Sequence, residues 1–80
     1  MEKVIEEILE EIDDKGETEV IGVFHRGRQI GYQKRTKAMN DLLWHGKVML
    51  KNVTISTNYY NDQMVKVFTL GRFDATANDL

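Results

Sequence analysis

Apolar and polar residues follow two clear rhythms along this chain, with one ambiguous stretch between them. In residues 2–14, Val4, Ile5, Ile8, Leu9 and Ile12 recur three and four positions apart, which predicts an amphipathic helix with its acids on the opposite face. Gly16 follows Lys15 and suits the left-handed residue that ends a helix. Residues 33–45 repeat the helical spacing through Ala38, Met39, Leu42 and Leu43 and stop at Gly46. The period then changes to two. Val48, Leu50, Val53 and Ile55 predict a strand over 47–55, and a slip of the alternation at Lys51-Asn52 predicts a β-bulge. Met64, Val65, Val67, Phe68 and Leu70 predict its partner over 64–70, and the polar stretch 56–63 joins the two as a hairpin with Tyr59 and Tyr60 near its tip.

Residues 18–31 fit two patterns. Thr18 is a suitable cap for a short helix that buries Val20, Ile21, Val23 and Phe24 on one face. The same residues also fit a β-hairpin over 20–33 that turns near Arg26-Gly27. Their β-branched content favours this, and Gly22 weakens a helix by about 1 kcal/mol. The helix is the preferred reading and the hairpin the alternative. Residues 1–73 are expected to form the domain, with 74–80 as a flexible C-terminal tail poor in apolar residues.

Charge changes the picture more than composition does. The 80 residues carry a net −2, but residues 1–20 hold nine acids and two lysines, a net −7. Residues 21–72 hold nine bases and two acids, a net +7, and Asp74 and Asp79 follow. The first helix has like-charge pairs four residues apart, Glu2–Glu6, Glu6–Glu10 and Glu7–Glu11, each unfavourable by a few tenths of a kcal/mol. It therefore needs packing or a basic neighbour. Gln33, Lys34, Arg35, Thr36, Lys37 and Asn40 crowd the first turns of the second helix, where bases oppose the helix dipole unless an anion lies beside them. A polarised molecule is expected, acidic on one side and basic on the other.

Helix, short element, basic helix and closing hairpin resemble the winged helix-turn-helix family. The run Met39-x-x-Leu42-x-x-x-Gly46-Lys47-Val48 and the strand ending Val67-Phe68-Thr69-Leu70 carry the resemblance. It implies a small α+β winged helix-turn-helix fold, helices followed by a C-terminal β-hairpin wing. The alternative order is α-β-β-α-β-β. Arg35 stands where the family usually has a small apolar residue. The resemblance implies a sequence-specific double-stranded DNA-binding regulator. Gln33, Arg35, Thr36 and Asn40 would read base edges in the major groove. Arg26, Arg28, Tyr32, Lys34 and Lys37 would hold phosphates, and Lys51, Asn58, Tyr59, Tyr60 and Lys66 would contact the backbone from the wing. A homodimer through helix 1 would match two half-sites.

The alternative function is a protein-interaction module or inhibitor of phage or viral type. The net acidity and the Tyr59-Tyr60 tip suggest it. Trp44 is expected to lie partly buried against helix 1. No enzyme is expected. His25 and His45 stand alone without cysteine or a zinc-ligand spacing, and Ser56 is the sole serine. No cofactor and no metal are expected. The absence of cysteine and of a long apolar run points to the reducing cytoplasm and away from a membrane.

Overall fold

The computed structural model describes residues 2–73. Six elements follow one another: α1 (Glu2–Lys15), β1 (Glu17–His25), β2 (Arg28–Gly31), α2 (Gln33–Trp44), β3 (Val48–Asn58) and β4 (Gln63–Arg72). The strands form one antiparallel sheet in the order β2-β1-β4-β3. The fold is therefore α+β. The preferred helix over 18–31 is absent, and with it the central helix of a helix-turn-helix. The order is the alternative one, α-β-β-α-β-β.

The hairpin prevails for a local reason and a tertiary one. Arg26 and Gly27 both take positive φ, 51° and 81°, the geometry of the two-residue turn whose twist matches flanking strands. Thr18, Val20 and Gly22 all point inward along β1 and are buried. That is a period of two, which a helix would break. Gly22 fits because a Cβ there would lie 3.0 Å from the Phe24 ring.

Both helices cover the same face of the sheet. Ile8 and Ile12 from α1 and Ala38, Met39 and Leu42 from α2 meet Val20, Val48 and Leu70 in one core. Ile8, Val20 and Leu70 are its largest fully buried side chains. The helix ends follow the sequence signals. Gly16, at φ 83°, closes α1 by donating to the Ile12 carbonyl. After α2, the Gly46 N–H bonds the Leu43 carbonyl and the Lys47 N–H the Leu42 carbonyl, the paired closure that a left-handed glycine permits.

The bulge occurs where the alternation slips: the β3–β4 register shifts between Leu50 and Asn52, leaving Lys51 extra. The strands are longer than the apolar pattern alone predicts, and the turn contracts to residues 59–62. Trp44 is 87% exposed instead of partly buried against α1. The C-terminal tail expected at 74–80 lies outside the described residues.

Candidate functional site

Folding partly cancels the separation of charge along the chain. Arg35 places its guanidinium 3.8 Å from Glu7 and 3.9 Å from Glu11 of α1. Lys51 reaches Glu17 at 3.3 Å, and Arg72 reaches Asp13 at 3.5 Å. Bases from the +7 segment are thus paired with acids from the −7 segment. The acidic helix lies beside the basic one, so the expected split into opposite sides is corrected. Each exposed pair contributes about 0–1 kcal/mol. Their larger consequence is to engage, within the fold, bases that looked free.

The expected base-reading face of α2 is divided in the same way. Thr36 is buried and its hydroxyl accepts from Gln29 Nε2 at 2.8 Å and donates to the Gln33 carbonyl at 3.0 Å. It presents no edge to a groove. Gln33 Nε2 donates to the Gln29 carbonyl at 2.9 Å. Lys34, Lys37 and Asn40 are exposed. Tyr32 precedes α2 at φ 62°, with no side-chain cap. Arg28 lies opposite His25 on β2; the alternation of β1 puts that pair on the face away from the helices.

Residues predicted from the wing converge more closely. Arg26, Asn58, Tyr59 and Lys66 line one cleft of about 530 Å³ at the turn end of the sheet, together with Phe24 and Met64. Tyr60 is not in that lining and is fully exposed, and Tyr59 is 88% exposed. Arg26 pairs with Asp62 at 3.5 Å, and Lys66 Nζ lies 4.7 Å from the centre of the Phe24 ring.

The sequence pattern did not reveal the character of β3. This strand is an edge of the sheet. Registers of Val20 with Phe68 and Phe68 with Val53, and of Gly22 with Lys66 and Lys66 with Ile55, place Val53 and Ile55 on the helix-bearing face. The helices do not reach them. Leu50, Val53 and Ile55 are 44%, 38% and 55% exposed. Lys51 is the only charged residue among the 11 of the strand. The signal was present in the run Asn52-Val53-Thr54-Ile55-Ser56-Thr57-Asn58, which combines β-branched residues with no charge. On the apolar side of α1, the expected dimer contact, Ile8 and Ile12 pack into the chain's own core while Leu9 is 38% exposed.

Among the described residues, no group of three or more His, Cys, Asp or Glu could hold a metal ion, and no helix is long and apolar enough to cross a membrane. The chain matches no protein-family model, no curated protein and no solved structure.

Proposed function

We propose that this domain is a protein-interaction module that accepts an extended segment of a partner protein as a fifth strand along β3. The observation that carries this reading is the unprotected edge. Natural sheets guard long edges with inward-pointing charges, proline, or a covering helix or loop, because unpaired N–H and C=O groups recruit other strands. Past its bulge, β3 has none of these guards over residues 52–58 among the described residues. An added strand would bond to the backbone, while Leu50, Val53 and Ile55 would meet its alternate side chains. Main-chain bonds then supply affinity and side-chain contacts supply selectivity.

Reading duplex DNA with α2 has less support. It would bring the carboxylates of α1, within 4 Å of Arg35, towards the phosphates, and repulsion would oppose binding.

Selection of random peptides on the protein tests the proposal and needs no identified partner. The variant Val53→Lys/Ile55→Lys is the counter-screen, since two lysines guard an edge while occupying exposed positions. Peptides rich in β-branched residues are expected, with binding to the double-lysine variant reduced by tenfold or more. Peptides that bind both proteins equally would count against the reading, as would a selection that yields none.

A further inference from the structure

The cleft at the turn end of the sheet has a chemistry that strand addition does not use. Its walls are the two turns that close the β1–β2 and β3–β4 hairpins. Arg26 N–H donates to the Asp62 carbonyl at 3.5 Å, and their side chains pair at the same distance. Both residues hold positive φ, 51° and 55°, without being glycine. Arg26 does so as the first residue of its two-residue turn, and aspartate is among the residues that adopt this region most readily. The backbone contact and the exposed side-chain pair join the two turns.

The cleft carries two cations, Arg26 and Lys66, against one carboxylate, Asp62, and that carboxylate is already engaged by Arg26. Lys66 is half-buried over the Phe24 ring and, among the described residues, has no carboxylate within 4 Å. A partly desolvated ammonium without a counter-charge favours an anion beside it. Apolar surface from Phe24, Met64 and Tyr59 lines the rest. The volume of about 530 Å³ falls within the range of small-molecule sites.

We infer that this cleft binds a planar aromatic anion of nucleotide size, with its anionic group near Lys66 and Arg26 and its ring against the Tyr59 side. Asn58 and Gln63, also in the lining, carry amides able to bond the edge of a ring. A free nucleotide and one unit of a single-stranded nucleic acid share this chemistry. A duplex does not, because its bases are stacked and paired.

Calorimetric titration of the full chain with 5′-AMP, adenosine, a ten-residue oligothymidylate and a 20-base-pair duplex tests the inference. AMP is expected to bind at least tenfold more tightly than adenosine. Lys66→Gln and Arg26→Gln should each weaken AMP by about tenfold. Tyr59→Ala, a change at an exposed tip that leaves folding intact, should weaken it by about fivefold or more. Tighter binding of the oligothymidylate than of AMP assigns the site to single strands, and the reverse assigns it to free nucleotides. The inference is overturned if neither AMP nor the oligothymidylate binds, if adenosine matches AMP, if the duplex binds best, or if Lys66→Gln and Tyr59→Ala both leave binding unchanged.

Discussion

Truncating Leu70 and truncating Ile55 should have very different consequences, although both point to the helix-bearing face of neighbouring strands. Leu70 is fully buried and sits among Ile8, Val20 and Leu42 in the core. Leu70→Ala removes buried carbon atoms and leaves a void that a small core closes only in part. Comparable substitutions cost about 2.7–5 kcal/mol; about 3 kcal/mol is expected here. A chain of this size has a total stability of roughly 4–12 kcal/mol, so the loss is a large fraction of it. At about 4–8 °C per kcal/mol, the melting temperature should fall by roughly 12–24 °C. Ile55 is 55% exposed, so Ile55→Ala forfeits little burial and should cost under about 1 kcal/mol, mostly β-propensity. Urea unfolding followed by circular dichroism gives both values. Equal losses would refute the reasoning, because they would mean that the helices or another element cover the distal half of β3.

Two further outcomes test the internal use of residues that looked free in the sequence. Thr36→Val should cost about 1–2 kcal/mol in urea unfolding, because it leaves the Gln29 amide with one fewer partner; no loss would mean that this hydroxyl bond is not formed. Arg35→Gln should cost about 0.5–1 kcal/mol at low ionic strength, and the difference should shrink in 1 M salt as the Glu7 and Glu11 pairs are screened. An unchanged midpoint at low salt would show that Arg35 is not engaged with α1.

Much of the fold was legible because its strongest signals are local. Helical spacing in α1 and α2, glycines at 16 and 46 and the slipped alternation at Lys51 all identify structure through neighbours a few residues apart. The stretch 18–31 was not legible for the same reason. Its inward row is Thr18, Val20 and Gly22, so only one of three buried positions is strongly apolar and the period of two is faint. The candidate site suffered from distance. Arg35 meets acids 24 and 28 positions earlier, and no pattern near residue 35 reveals them. The apolar residues of β3 looked like core because hydrophobicity shows which side chains gain from burial, while sheet order decides which strand is left at the edge. Trp44 shows the same limit: its place beside Leu43 suggested partial cover, yet among the described residues it is 87% exposed.

The central claim is that β3 takes up a partner strand along residues 52–58, and amide hydrogen exchange read residue by residue over that stretch tests it most directly. In the free protein, N–H groups bonded to β4 should exchange slowly and those facing outward quickly, so protection should alternate along the strand. With a selected peptide bound, the fast amides should become protected while those of α2 stay unchanged. Protection that appears on α2 instead, or outward β3 amides that still exchange quickly in the complex, would contradict the claim.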